Sequence, residues 1–411
     1  MQYGLIGEHL GHSFSKEIHE MLGFYKYELK EVASHTFDYF MKKREFQAIN
    51  VTIPYKEKVI PYLDEISNQA KRIQAVNTIV NRDGKLYGYN TDYFGLMSLI
   101  HRLNIDVANQ KVLILGTGGT SKTAQIVCED LGANPIIKVS RDKKNDAITY
   151  EEAYQKHSDA RCIINTTPCG MYPNNEDMVI DVTQFSNLLG VIDVIYNPLQ
   201  SKLVLEARKN NIKAEGGLFM LVEQAIKACE IFIDKQLDDV AITLFKKFSK
   251  VKNNIVLIGM PSCGKSTIGK VIASSLHKTF IDTDEEIEKE MGITISDFLE
   301  QKGEKTFRDI EEKTIKEIAK RQNQVIATGG GAVLRKYNID NLKQNGIIYF
   351  INRSLTLLTP TPDRPLSSNI KDLKKKYKER YSLYQSMSDV IINGDGDILT
   401  VANLIQEDFL K

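Results

Sequence analysis

The amino-acid sequence predicts an α/β protein built around parallel sheets, and three observations carry that expectation. Short apolar, β-branched runs alternate with longer amphipathic stretches along the whole chain, which is the pattern of βα units. Two of those runs end in glycine loops of different type. Lys111–Leu115 leads into Gly116-Thr-Gly-Gly, and Asn254–Ile258 leads into Gly259-Met-Pro-Ser-Cys-Gly-Lys-Ser. Between the loops, Leu218–Phe248 has helical periodicity and ends in Lys246–Asn254, a polar, basic stretch that reads as a short linker with a boundary near Lys250. A strand, a glycine loop and a helix in series present backbone N–H groups to phosphates, so two such units imply two nucleotide sites.

Composition narrows the class. The chain has 411 residues, 42% of them hydrophobic and 26% charged, with a formal net charge of +1. That length exceeds one ordinary core and fits about two or three domains. A near-zero net charge supplies no global field for nucleic acid or an anionic membrane. The five cysteines lie at long, irregular spacings without a CxxC or Cys/His ligand pattern, as expected of reduced thiols in a cytosolic protein. The N-terminus reads as a strand entering a turn, without the regions of a signal peptide. No apolar run approaches the ~20 residues of a membrane helix, so the expectation is a soluble, cytoplasmic protein.

In the first half, Gly116-Thr-Gly118-Gly119 after a strand suits a dinucleotide or an ordinary tight βα turn. Past the next strand, Ser140-Arg141 stands where an NAD-specific fold places an acidic residue, and a guanidinium there fits a 2′-phosphate, hence NADP. Asp142 opposes that preference, and Lys143 and Lys144 offset it. Outside the glycine loop come His12-Ser13-Phe-Ser15, Asn50-Val-Thr52-Ile-Pro-Tyr-Lys56, Ala75-Val-Asn77 and Asn90-Thr-Asp92. Delivering hydride to a ketone needs a proton donor at the developing alkoxide, which a lysine held by an aspartate can be. Read singly, Lys56 is a surface residue and Asn-Thr-Asp a turn.

In this order the segments resemble shikimate dehydrogenase over about residues 1–248. The resemblance implies that Ser13 and Ser15 bind the substrate carboxylate, that Thr52, Asn77 and Gln224 hold its hydroxyls, and that Lys56 and Asp92 are the catalytic pair. It places Asn165-Thr166-Thr-Pro-Cys-Gly-Met and Tyr196-Asn-Pro beside cofactor and substrate, with Gly217 opening the helix that returns to the substrate domain. Lys16 replaces the family's usual proline after the second serine.

In the second half, Gly259-x-x-x-x-Gly264-Lys265-Ser266-Thr267 is a full phosphate-binding loop. Its backbone closes around the phosphates, Lys265 meets the β/γ oxygens and Ser266 ligates Mg²⁺. Phe280-Ile-Asp282-Thr-Asp284 follows, and strand alternation puts both carboxylates on one face. One can hold the metal's water and the other can take a proton from a hydroxyl. Then come Gly303-Glu304-x-x-Phe307-Arg308-x-x-Glu311, Gly329-Gly330-Gly331, Asp363-Arg364-Pro-Leu and Arg380-Tyr-Ser-Leu-Tyr384. Arginines in such a pocket suit an anionic substrate, although each alone reads as a solvated charge. Lys371–Lys378 is a solvated helix face rather than a nucleic-acid patch.

Together these motifs closely resemble shikimate kinase over residues 254–405. The resemblance implies that Asp284, Arg308, Gly330, Gly331 and Arg380 grip shikimate, that Asp282 lies near Mg²⁺, and that Arg364 comes from a lid over the ATP phosphates. Leu357 stands where many members carry a second lid arginine.

The two resemblances imply three domains: 1–100 for the first substrate, completed by helices at about 218–248; 101–217, a Rossmann-like NADP domain; and 252–411, a P-loop kinase. They imply successive reactions, from 3-dehydroshikimate to shikimate and on to its phosphate, with no obligate protein partner. A dehydrogenase that also accepts quinate, and a non-catalytic metabolite sensor on the same folds, stay open at this stage.

Overall fold

The computed structural model of the chain describes residues 1–11, 13–359 and 370–411. It divides into two compact units, Met1–Phe248 and Ser249–Lys411.

The first unit has two sheets. One is six-stranded, in the order Tyr27–Glu31, Tyr3–Gly7, Ala48–Val51, Thr78–Arg82, Lys85–Tyr89 and Glu65–Ile66. It is mixed rather than wholly parallel, because Thr78–Arg82 and Lys85–Tyr89 form an antiparallel hairpin. Asp83 and Gly84 both take positive φ at its turn, which matches the twist of a tight two-residue hairpin. The other sheet is parallel throughout, in the order Lys213–Glu215, Gly190–Asp193, Cys162–Asn165, Val112–Leu115 and Ile136–Val139. All four residues of Val112–Leu115 are buried, as expected of a strand covered on both faces.

The second unit is one parallel sheet in the order Thr279–Asp282, Gln324–Ala327, Asn254–Ile258, Gly346–Asn352 and Val390–Asn393. Its buried core includes Ile255, Leu257, Ile326, Phe350 and Tyr384. Among the described residues no helix is long and apolar enough to cross a membrane.

Two local expectations are corrected. Lys246–Asn254 is not a linker: Val240–Lys252 is a helix, and a strand begins at Asn254. The basic residues cover one side, while Leu244 and Phe248 are buried on the other. Asp282 and Asp284 do not share a strand face either. The strand ends at Asp282, whose Oδ1 accepts the Asp284 N–H at 3.0 Å and caps the helix Thr283–Met291.

Candidate active sites

Lys56 follows the strand Ala48–Val51, and Asp92 opens the helix Asp92–Arg102. The intervening hairpin folds the chain back, and Lys56 Nζ donates to Asp92 Oδ2 at 2.6 Å. The other carboxylate oxygen accepts from Asn77 Nδ2 at 2.9 Å. Asn77 is fixed in turn, since its Oδ1 accepts the Thr91 N–H at 2.7 Å and the Thr78 hydroxyl at 3.0 Å. Asn50 donates to Thr78 Oγ1 at 3.0 Å and accepts the Tyr27 hydroxyl at 2.7 Å. Such a buried, paired network holds the carboxylate in one orientation. The Asp92 side chain is 8% exposed and that of Lys56 24%, so the ammonium is the end a small molecule can reach.

Ser13 and Ser15 are half-buried around Phe14, and Ser13 Oγ accepts the Ser15 N–H at 3.3 Å. The Phe14 ring lies 5.3 Å from that of Tyr196. Burial, and then the Asp92 charge, pushes the Tyr196 hydroxyl above its usual range, which ties that ring to the Lys56–Asp92 environment. Thr52 is half-buried at the end of its strand, with its N–H on the Ile6 carbonyl at 2.9 Å. Gln224 is half-buried on the helix Leu218–Ile233. That helix presses on Asp92–Arg102, because a Cβ at Gly95 would lie 2.5 Å from the Met220 carbonyl oxygen. His12 lies outside the described residues.

The order in which the chain adds strands to this parallel sheet reverses between Val112–Leu115 and Cys162–Asn165. The crevice beyond such a switch point is where open α/β sheets bind ligands. Gly116 turns there with φ 104°, and a Cβ on it would lie 2.9 Å from Thr166 Oγ1. At Gly118 and Gly119 the same test meets nothing within 4 Å, so the start of the helix Gly119–Asp130 is open to a phosphate. Lys122 on that helix pairs with Glu57, next to Lys56, at 2.7 Å. Ser140 follows Ile136–Val139, and its hydroxyl bonds the Asp142 carbonyl. Arg141 is exposed and forms no ion pair among the described residues. Lys144 faces Asp142 at 3.6 Å, whereas Lys143 is drawn to Glu152 at 2.9 Å, so only the first is placed to offset Asp142. Gly217 is buried, and a Cβ on it would lie 2.1 Å from the Val194 carbonyl oxygen.

In the second unit, Gly259 and Gly264 take φ of 149° and 94°, and the helix Lys265–Leu276 begins beyond them. Lys265 is buried and donates to the carbonyls of Gly259 and Met260, both at 2.9 Å. Ser266 donates to Asp282 Oδ2 at 2.6 Å, while Thr267 is exposed. A hydroxyl beside a carboxylate is a hard oxygen pair that suits Mg²⁺, which completes its shell with water and phosphate. Among the described residues no group of three His, Cys, Asp or Glu side chains is placed to hold a metal.

The glycine run after Gln324–Ala327 leaves room for charged groups. A Cβ at Gly329 would lie 2.4 Å from Asp284 Oδ1, and one at Gly331 would lie 2.3 Å from Arg308 Nη1. Arg380 Nη1 donates to the Gly330 carbonyl at 2.9 Å. Arg308 bonds Glu311 at 2.8 Å and Glu304 at 2.9 Å. Burial pushes the Glu311 carboxyl up, against the pull of Arg308. Among the described residues the Nε atoms of Arg308 and Arg380 and Glu311 Oε1 are buried without a partner, so this pocket has donors and an acceptor in reserve. Arg364 and the Asp-Arg-Pro-Leu motif lie outside the described residues, and Leu357 is exposed.

Asn50, Thr91, Glu311 and Gly329 lie inside the sequence motifs and Thr78 just beyond one, yet none of them is marked there by a role of its own. Their functions rest on partners far along the chain. Only polar residues at buried positions of strong apolar patterns hint at them.

Residues 5–79 match the family model of the shikimate dehydrogenase substrate binding domain, and residues 261–409 match that of shikimate kinase. The NADP(+) shikimate dehydrogenase of Clostridium perfringens (strain SM101 / Type A) is 39% identical over 259 residues, covering 58% of this chain and 95% of that protein. The crystal structure of shikimate dehydrogenase 1 from Peptoclostridium difficile superposes with a TM-score of 0.56 at 38% identity, over 60% of this chain and 98% of that one. A chorismate mutase/shikimate 5-dehydrogenase fusion protein from Clostridium acetobutylicum aligns with a TM-score of 0.57 at 33% identity, over 60% of this chain and 97% of that one. Lys56 lies within the first matched region, and Lys265, Arg308 and Arg380 lie within the second; the chain belongs to the shikimate dehydrogenase family and carries a C-terminal shikimate kinase domain.

Proposed function

We propose that the first unit reduces 3-dehydroshikimate to shikimate with NADPH and that the second phosphorylates shikimate with ATP, so that one product feeds the other site. The observation that carries this reading is the Lys56–Asp92 pair at 2.6 Å, with its ammonium open to the cleft. NADPH, when bound, supplies the hydride. The chain's own part is to place the ketone and move a proton. Ser13 and Ser15 hold the carboxylate near the start of a helix, where an anion is favoured. Thr52, Asn77, Tyr196 and Gln224 hold and cover the ring. Lys56 donates a proton to the oxygen that becomes the alkoxide, and Asp92 keeps the lysine aimed. Gly116, Gly118, Gly119, Thr166 and Gly217 shape the cofactor crevice. Ser140 and Arg141 favour a 2′-phosphate, in keeping with relatives named for NADP(+).

In the second unit, Gly259, Gly264, Lys265 and Thr267 cradle the ATP phosphates, and Arg364 adds its charge to them. Ser266 would hold Mg²⁺ directly and Asp282 through a water, and the ion would offset phosphate charge. Arg308, Arg380, Gly330 and Gly331 grip shikimate, and Asp284 takes the proton from its attacking hydroxyl. No nucleic acid, membrane or second protein enters this scheme.

The test is two separate assays on the purified chain. NADPH consumption should depend on 3-dehydroshikimate, and ADP release should depend on shikimate and Mg²⁺. Binding of both substrates without turnover would instead identify a sensor.

A further inference from the structure

Asp193 ends the strand Gly190–Asp193 and is fully buried. Its Oδ1 accepts Asn165 Nδ2 at 3.0 Å and the Ile195 N–H at 3.1 Å, and its Oδ2 accepts the Ser201 hydroxyl at 2.6 Å. Each partner belongs to a different piece of the crevice rim. Asn165 Oδ1 receives the Thr167 N–H at 3.0 Å and its hydroxyl at 2.7 Å, which sets the turn that carries Thr166. Thr166 in turn bonds the Leu115 carbonyl through its N–H at 2.9 Å and its hydroxyl at 2.6 Å, against Gly116. The Ile195 carbonyl receives the Gly217 N–H at 2.8 Å, at the start of the helix that carries Gln224. Ile195 also precedes Tyr196 directly. Ser201 caps the helix Lys202–Lys209 through the Val204 N–H at 3.4 Å.

A carboxylate is the one side chain of this size with acceptor sites for three donors from three directions. An apolar residue of the same shape would leave the Asn165 amide and the Ile195 N–H buried without acceptors, and the loops would shift to rehydrate them. We infer that Asp193 is a positioning residue of the dehydrogenase, setting Thr166 on the cofactor side and Tyr196 on the substrate side at their working separation. It touches neither ligand and acts through Asn165 and Ile195. The inference rests on the dehydrogenase reading above.

The experiment compares the full chain with Asp193→Leu, Asp193→Asn and Asn165→Ala. A mere loss of folded protein lowers the maximal rate and leaves KM where it was. A misplaced rim raises KM for NADPH and 3-dehydroshikimate and slows the chemistry as well, since a displacement of about 1 Å can cost on the order of 10²-fold. Asp193→Leu should show that second pattern, with shikimate phosphorylation unchanged. Asp193→Asn should recover to within about threefold, because its oxygen serves Asn165 and Ile195 while the Ser201 hydroxyl turns to accept from its amide. Asn165→Ala, which removes one arm, should raise KM for NADPH, and it decides the matter if Asp193→Leu is insoluble. Parent-like KM values in Asp193→Leu, or in Asn165→Ala when the first does not fold, overturn the assignment. So does an Asp193→Asn protein as impaired as Asp193→Leu. A parent chain inactive on 3-dehydroshikimate overturns the functional reading itself, whereas an active parent with indifferent variants overturns only the role of Asp193.

Discussion

Replacing Asp92 with asparagine changes one atom and creates a definable conflict. Asp92 accepts Lys56 Nζ on one oxygen at 2.6 Å and Asn77 Nδ2 on the other at 2.9 Å. Asparagine has one oxygen and one NH₂ group, so its amide must face a donor whichever way it turns. Asn77 cannot flip in compensation, because its Oδ1 is engaged by Thr91 and Thr78. Leaving one such buried donor unpaired costs about 1–3 kcal/mol, a factor of roughly 5 to 150 in rate if all of it falls on the reacting geometry. Losing the ion pair that aims Lys56 adds to this, toward the ~10²–10⁴-fold typical of a positioned acid–base group. The assay is NADPH absorbance with saturating 3-dehydroshikimate, with phosphorylation measured on the same sample. We expect reduction to fall at least tenfold and phosphorylation to hold. An Asp92→Asn protein that reduces within twofold of the parent would refute the argument that this carboxylate orients the lysine.

Lys56→Ala should abolish reduction by about 10²–10⁴-fold while sparing phosphorylation, and Lys265→Ala should do the reverse; steady-state rates for both reactions check each variant. Arg141→Ala should weaken NADPH about tenfold or more and NADH much less, since a charge-assisted hydrogen bond contributes about 1.5–3 kcal/mol; equal losses in KM for the two cofactors would mean that Arg141 does not meet the 2′-phosphate. Burial pushes the Asp193 carboxyl up to about 7, against hydrogen bonds from Ser201, Ile195 and Asn165. Between about pH 4 and 7 the folded chain therefore holds a proton that the unfolded chain has released, and this group's contribution, complete below about pH 4, fades as pH rises through 7. The melting temperature of the parent minus that of Asp193→Asn should accordingly fall across that window, and a difference independent of pH would contradict the assignment.

The sequence was most legible where function is local. The phosphate loop could be read from Gly259 to Ser266 because its chemistry lies in eight consecutive residues, and the first glycine loop because a strand leads straight into it. Lys56, Asn77 and Asp92 were identifiable only through resemblance, since nothing local shows that a hairpin brings them together. Composition misled at Lys246–Asn254, where a basic surface hid a helix whose other side buries Phe248, 5.6 Å from the Phe14 ring. Period-two alternation misled at Asp282 and Asp284, because it assumes the strand continues and a capping aspartate ends it. Asp193 and Glu311 showed only as polar residues in their surroundings: a carboxylate inside an apolar strand or on a charged helix acquires its meaning from distant partners.

A chain that performs two successive steps must carry 3-dehydroshikimate to a phosphate ester in a single incubation. Purified protein would be mixed with 3-dehydroshikimate, NADPH, ATP and Mg²⁺, and the products followed by mass spectrometry. A phosphorylated shikimate should form only when both nucleotides are present, with free shikimate accumulating when ATP is withheld. Consumption of ATP without NADPH oxidation, or shikimate that the same protein never phosphorylates, would contradict two successive steps on one chain.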